Sequence, residues 1–114
     1  MEENSREKRR FPRIGLHVPV SYSIRGRSQH AATLSKNVSA GGLGLLSDEF
    51  VAPRTLLNLQ FSVLQKFFSI YARTKWISSV PSSEKYYFGL EFLELQPKDQ
   101  EYLSDYVKLQ EGSI

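Results

Sequence analysis

The sequence predicts a mainly β protein, a six-stranded antiparallel β-barrel with a flexible basic N-terminal arm and a C-terminal α-helix. About six short segments alternate apolar and polar residues, and this period of two is typical of half-buried strands. Turn-forming residues separate the segments at regular intervals, as they do in small barrels. After Leu95 the period changes to that of an amphipathic helix, which we expect to cover apolar surface of the barrel.

The composition indicates one globular domain. The chain has 114 residues, of which 40% are hydrophobic and 24% are charged, enough to bury a core without a metal or disulfide. It contains no cysteine, which excludes thiol chemistry and thiolate metal sites. No apolar run approaches the ~18 residues that would span a bilayer. We therefore expect a cytoplasmic protein that does not insert into membranes.

Residues 1–13 are polar and charged and are predicted to form the flexible arm, whereas residues 14–110 form the barrel and the helix. The formal net charge of the chain is +3, but residues 6–13 carry five cations against Glu7, a local charge of +4. These cations are Arg6, Lys8, Arg9, Arg10 and Arg13. So concentrated a charge indicates a local anionic partner rather than a basic surface on all sides.

The first two strands are predicted at residues 16–24 and 30–38, joined by a turn at residues 25–28. Pro19 falls on the outward face of the first of them. Because proline cannot donate to a strand ladder, this position favours an edge strand or a bulge.

The segment NVSAGGLG, residues 37–44, follows the second strand. It predicts a tight turn in which Asn37 and Ser39 cap backbone amides and the paired glycines adopt positive φ. A short strand around residues 43–46 comes next.

Three further strands are predicted at residues 57–63, 68–76 and 86–92. Alternation places Trp76 on the same face as Phe68 and Ile70, which favours the core over a ligand contact. The helix is predicted at about residues 97–109, since Pro97 suits the first helical position.

Catalytic chemistry has little support in the sequence. The two histidines, His17 and His30, lie on separate predicted strands without an acidic neighbour, and isolated histidines of this kind are mostly surface or core residues. The chain has no P-loop, and GLGLLS lacks the third glycine of a dinucleotide fingerprint. We therefore predict no catalytic residue, no metal site and no cofactor, and we predict that the protein is not an enzyme.

Two weak motifs become specific through their order in the chain. RRFPR, residues 9–13, precedes the first strand, and NVSAGG, residues 37–42, follows the first strand pair. This combination resembles the PilZ family of bacterial cyclic di-GMP receptors, whose pattern is R-x-x-x-R followed by [D/N]-x-S-x-x-G. FGLEF, residues 88–92, is similar to the G-x-x-F that ends the family's last strand. The resemblance spans roughly residues 6–107, nearly the whole chain.

The resemblance implies a six-stranded barrel with a C-terminal helix and a site for cyclic di-GMP. The residues that it places at the ligand are Arg9, Arg10, Arg13, Asn37, Ser39 and Gly42, with Lys8, Gly41 and Trp76 as secondary contacts. Arg9 and Arg13 would be the principal clamps, since a guanidinium matches both guanine edges and phosphates. Asn37 and Ser39 would hydrogen-bond a guanine or its neighbouring backbone, and Gly42 would let the ligand approach.

These features together predict a cyclic di-GMP sensor whose arm folds over the ligand and changes the surface offered to an unidentified protein partner. One alternative is a PilZ-like interaction module that no longer binds the nucleotide. Another is a small nucleic-acid-binding barrel. That reading is disfavoured because exposed aromatic and basic residues do not interleave as in single-strand platforms, although residues 66–76 come nearest.

Overall fold

The computed structural model describes residues 13–111, which form seven strands and one helix. The elements are β1 (Ile14–Gly15), β2 (Pro19–Ile24), β3 (Ala31–Val38), β4 (Gly42–Ser47), β5 (Leu56–Val63), β6 (Lys66–Ser79), β7 (Tyr86–Phe92) and α1 (Pro97–Glu111). The predicted flexible arm falls almost wholly on residues 1–12, which lie outside the described residues, so it stays a prediction.

Strands β2 to β7 close into a six-stranded antiparallel barrel. Paired neighbours follow the order β3-β2-β5-β6-β7-β4, and pairing of β4 with β3 completes the circle. Closure gives every strand of the barrel a neighbour on both sides, which removes exposed sheet edges. The predicted fold class is confirmed, and β1 is an extra short strand paired with β3.

The first strand predicted from the sequence is interrupted, and β1 and β2 pair with successive parts of β3. Between the last pair of β1 and the first pair of β2, β3 has one residue fewer than its partner. The Ser35 hydroxyl bridges the irregular segment, accepting from the Val18 amide at 2.9 Å and donating to the Leu16 carbonyl at 2.5 Å. Pro19 was predicted to lie on an edge strand or at a bulge. Because β2 lies between β3 and β5, the edge is excluded, and Pro19 follows the bulge-like irregularity between β1 and β2.

The core fills the barrel with the inward-facing residues of the strands. Its largest fully buried side chains are Phe88, Leu45, Leu57, Leu59 and Leu103. The helix α1 contributes Leu103 and Val107, both buried, and its Tyr102 hydroxyl donates to the Val63 carbonyl at 3.2 Å. The predictions that a terminal helix covers the barrel and begins at Pro97 are confirmed.

One buried hydroxyl in the barrel lacks a hydrogen-bond partner. Thr74 on β6 is 1% exposed, and its Oγ1 is unpaired within the described residues. An unsatisfied buried polar group destabilises the native state, and valine has the same shape without the hydroxyl. We therefore expect Thr74→Val to raise the free energy of unfolding by about 1 kcal/mol, as measured by urea denaturation.

Ser35→Ala is the matched control, because it removes a buried hydroxyl that is fully hydrogen-bonded. It is expected to lower the free energy of unfolding by about 1–2 kcal/mol. A destabilised Thr74→Val would contradict the assignment of Thr74 Oγ1 as unsatisfied.

Candidate ligand-binding site

Strand β1 brings the two sequence motifs together. It begins directly after Arg13, and its Gly15 lies opposite Asn37 on β3. Continuing this antiparallel register by one step beyond Ile14 places Arg13, which is exposed, at the level of Ser39. The last arginine of RRFPR thus lies on the outer surface of the barrel, beside the turn that follows β3. The other cations predicted at the ligand lie outside the described residues; these are Lys8, Arg9 and Arg10.

Ser39 holds the turn between β3 and β4 together. Its hydroxyl accepts hydrogen bonds from the amides of Gly41 and Gly42, both at 3.1 Å, and its own amide donates to the Gly42 carbonyl at 2.9 Å. The Gly41 carbonyl in turn accepts the Phe92 amide at 2.9 Å. The predicted capping of backbone amides is therefore confirmed for Ser39. Direct contacts of Ser39 and Gly41 with a ligand stay predictions.

Close packing, and not a left-handed backbone, explains the glycine at position 42. Within residues 13–111 the glycine with positive φ is Gly26 (φ 91°), in the turn after β2. The positive φ predicted for the paired glycines was therefore wrong. A Cβ at Gly42 would overlap the carbonyl oxygen of Leu90 on the facing strand β7. Gly42 thus allows β4 to approach β7, while its predicted role in admitting a ligand stays a prediction.

Five residues on adjacent strands form a row around the barrel at the level of Asn37. Asn37 of β3 lies opposite Gly15 of β1 and Gly44 of β4. Gly89 of β7 lies opposite Gly44 on one side and Trp76 of β6 on the other. Opposed residues share a face of the sheet, and at about 4.8 Å per strand Asn37 and Trp76 are about 14 Å apart. Together Gly44 and Gly89, which separate them, form the glycine floor.

The side chains at the two ends of the row lean over the glycine floor. A Cβ at Gly44 would lie 3.0 Å from Asn37 Oδ1, and a Cβ at Gly89 would lie 2.5 Å from Trp76 Nε1. The amide and the indole therefore occupy the space that side chains at these glycines would fill. Because Trp76 is 39% exposed, the floor faces outward. The surface has backbone beneath it, an amide at one end and an indole at the other.

A β-bulge in β6 turns Trp76 outward. The register between β6 and β7 shifts between Thr74 and Trp76, and Lys75 is the additional residue. Beyond the bulge Ile77 packs against the core, whereas Lys75 and Trp76 are both exposed. The prediction that Trp76 belongs to the core was wrong, because one inserted residue exchanges the faces of a strand and alternation alone does not reveal it.

Two side-chain pairs border the glycine floor. Tyr87, two residues before Gly89, has the Lys36 ammonium nitrogen 3.8 Å from its ring centroid. Glu91, two residues after Gly89, accepts two hydrogen bonds from the Arg73 guanidinium at 2.6 and 2.9 Å. Alternate residues of a strand share a face, so Tyr87 and Glu91 face outward with Gly89. The floor is therefore bounded by an aromatic ring on one side and an ion pair on the other.

The two glycines of the floor, and the two side-chain pairs that border it, were not among the predicted site residues. Gly44 and Gly89 lie inside strands, where a missing side chain is a recognisable signal of close approach. Tyr87 and Glu91 follow from Gly89 by alternation. Lys36 has no signal of its own, because its contact with Tyr87 exists only once β3 and β7 both pair with β4.

The arrangement suits a flat polar ligand. The glycine floor lets the Trp76 indole lie close to the backbone, the exposed part of this indole offers an aromatic face, and the Asn37 amide can both donate and accept hydrogen bonds. Within residues 13–111 no group of three or more His, Cys, Asp or Glu side chains could hold a metal ion. The helical structure in the same part of the chain has neither the length nor the apolar character to cross a bilayer.

Comparison with protein families matches residues 7–109 to the PilZ domain. Comparison with curated proteins gave no significant match. Among solved structures, the inhibitor of motility MotI (DgrA) of Bacillus subtilis is 24% identical, with a TM-score of 0.79, and the match covers 94% of this chain and 53% of that chain.

Two further solved structures with the same fold contain c-di-GMP. The K. pneumonia MrkH–c-di-GMP complex is 20% identical over 88% of this chain and 51% of that chain, with a TM-score of 0.70. The PilZ domain of YcgR from Escherichia coli is 14% identical over 94% of this chain and 99% of that chain, with a TM-score of 0.66. The chain spans about half the length of the MotI and MrkH chains.

Proposed function

The chain belongs to the PilZ domain family, and we propose that it is a non-catalytic receptor for cyclic di-GMP. The ligand lies on the outer face of β4, β7 and β6, with one guanine against the Trp76 indole, which itself lies over Gly89 of the glycine floor. The observation that carries this proposal is the floor itself, bounded by Asn37 and Trp76 and joined by β1 to the arginine motif. The c-di-GMP named in the structures of MrkH and YcgR, which share the fold, supports the choice of ligand.

Asn37 suits the polar edges of guanine. Its Nδ2 donates to the acceptors O6 or N7, and its Oδ1 accepts from the N1–H and amino donors. Trp76 provides an aromatic surface against which a base can stack, an interaction of about 1–3 kcal/mol per base. The missing side chains at Gly44 and Gly89 let the amide and the indole lie close to the sheet, and the base contacts both groups from the solvent side.

The arginine arm completes the proposed site. Arg13 enters beside Ser39, and Arg9 and Arg10 precede it in the chain, with Lys8 as a further point charge. A bound ligand with two phosphates offsets the +4 charge of the arm, and the guanidinium groups bind phosphates and guanine edges bidentately. Ordering the arm lowers affinity through lost conformational entropy, but it changes a large part of the protein surface.

We propose that a protein partner in the cytoplasm recognises the changed surface. The names of two structural relatives describe different outputs, inhibition of motility for MotI and transcription regulation for MrkH. The proposal for this chain is therefore ligand-dependent contact with a protein, whichever output follows. A generic nucleic-acid-binding barrel would instead bind DNA or RNA with an affinity that falls steeply with salt.

Isothermal titration with cyclic di-GMP tests the proposal. The native protein is expected to bind saturably and in preference to GTP and the cyclic adenine analogue. Arg13→Ala and Asn37→Ala are each expected to weaken binding by about 1–3 kcal/mol, because each removes a polar contact to the ligand.

Two matched substitutions lie away from the proposed site. Arg27→Ala removes an exposed arginine paired with Glu49, and Asn58→Ala removes an asparagine on β5. Both should bind like the native protein. Absence of native binding, or equal losses in the control variants, would refute the proposed site.

A further inference from the structure

A cavity of about 440 Å³ opens on the outer surface beside the glycine floor. Its lining residues are Arg54, Leu56, Arg73, Thr74, Lys75 and Glu91. Three of these carry a positive charge and one carries a negative charge. The cavity therefore has a positive balance, which suits an anionic group.

The charges within this cation cavity are not equivalent. Arg73 forms an ion pair with Glu91, whose carboxylate accepts hydrogen bonds from Nε and a second guanidinium nitrogen. Arg54 and Lys75 are exposed, and within residues 13–111 neither has an ion-pair partner. The positive charge that is not offset locally thus belongs to Arg54 and Lys75.

Two irregular backbone features place these cations. The bulge in β6 inserts Lys75 directly before Trp76, which is the residue paired with Gly89 of the glycine floor. Arg54 has a left-handed backbone with φ of 71°, and its amide donates to the Thr74 carbonyl at 2.7 Å. A non-glycine residue held at positive φ is strained, and such strain concentrates at functional positions. The fold thus fixes Arg54 against β6 despite an unfavourable conformation.

The cation cavity and the glycine floor are adjacent. Lys75 lies between Thr74, which pairs with Leu90, and Trp76, which pairs with Gly89. Arg73 pairs with Glu91, two residues beyond Gly89 along β7. Two residues of a strand span about 7 Å, so the distance from the floor to the cavity is within the reach of one nucleotide. A base stacked on the Trp76 indole above the floor can therefore place its phosphate at the cavity.

Resting on the cyclic di-GMP site proposed above, we propose that the cation cavity is a phosphate subsite for that ligand. Lys75 contacts a phosphate oxygen as a point charge, and Arg54 binds the same phosphate through its guanidinium fork. Glu91 holds Arg73 at the cavity wall. Residues outside both motifs thus bind the ligand on the barrel, in addition to the residues of the arm.

Titration of cyclic di-GMP against Lys75→Gln and Arg54→Gly tests this subsite. Each variant is expected to bind about 10-fold more weakly than the native protein, because each loses one charged hydrogen-bond donor. The loss should be largest at low ionic strength and should shrink as salt screens the exposed charges. Lys75→Arg, which retains the charge, should restore most of the affinity.

The controls separate charge from folding. Lys108→Gln removes an exposed lysine from α1. Ser82, like Arg54, is a non-glycine residue with positive φ (57°), so Ser82→Gly relieves the same kind of backbone strain without changing the charge. Both should bind like the native protein. Arg54→Gly should melt no lower than the native protein, since glycine tolerates its backbone conformation.

The outcomes distinguish this inference from the proposed function. If the native protein binds cyclic di-GMP, and Lys75→Gln and Arg54→Gly bind it with the same affinity and salt dependence, the phosphate subsite is overturned and the receptor proposal is left intact. Native protein that does not bind cyclic di-GMP would overturn both.

Discussion

Gly42→Ala is expected to lower the free energy of unfolding by about 3 kcal/mol. A Cβ at this position would overlap the Leu90 carbonyl oxygen and lie 3.2 Å from the Glu91 Cα. These are backbone atoms of β7, so no side-chain rotation relieves the overlap, and β4 must separate from β7. Overpacking that displaces backbone costs 1–3 kcal/mol and occasionally more. The barrel depends on this pairing, because β4 connects β7 to β3 and closes the circle.

Thermal unfolding followed by circular dichroism measures this effect, and the midpoint should fall by roughly 12 °C for a domain of this size. Gly15→Ala is the matched control, since a Cβ there would have no heavy atom within 4 Å. It should unfold within a few degrees of the native protein. Equal midpoints for the two variants would show that the motif glycine is not required by strand packing.

Gly89→Ala is expected to weaken cyclic di-GMP binding about 100-fold while changing stability little. A Cβ at Gly89 would lie 2.5 Å from Cε2 and Nε1 of Trp76. Unlike the strand opposite Gly42, the indole is the exposed end of a side chain and can swing away into solvent. The methyl group would then take the place of the indole, and the base would lose its stacking on the indole, an interaction worth about 1–3 kcal/mol.

Trp76 is the sole tryptophan of the chain, so its fluorescence reports the displacement directly. The emission maximum of Gly89→Ala should shift to longer wavelength without ligand, and titration calorimetry should show the loss of affinity. Ser62→Ala on β5 serves as the control and should change neither quantity. A shifted emission with native affinity would mean that the ligand does not use the floor, whereas an unshifted emission would contradict the packing of Trp76 on Gly89.

The two predictions concern glycines with different roles. Gly42 allows two strands to pack closely, and Gly89 allows the Trp76 indole to pack on a strand. Gly42 belongs to a recognisable turn motif, yet its surroundings give it a role in strand packing. Gly89 belongs to the less specific segment FGLEF, yet it lies directly under the indole of the proposed site. The position of a glycine in a motif is therefore a poor guide to whether it faces a ligand or another strand.

Local patterns were sufficient for most of the secondary structure. Alternation located β5 and β7 to within a residue, and Pro97 marked the start of α1. These patterns work because the pleat of a strand and the turn of a helix repeat over a few neighbouring residues. They failed at two single-residue irregularities: the break between β1 and β2, and the bulge at Lys75. One extra residue leaves the composition of a strand unchanged but reverses which side chains face the core.

The succession of strands along the chain, the Ser39 cap and the two motifs could be predicted from the sequence, because each depends on residues that are close in the chain. The candidate site could not. Asn37, Gly44, Gly89 and Trp76 become neighbours only when β3, β4, β7 and β6 pair in one register, and residues 37 and 89 are far apart in the chain. Register between distant strands is decided by the packing of the whole barrel, so the surface that those strands present exists only in the folded protein.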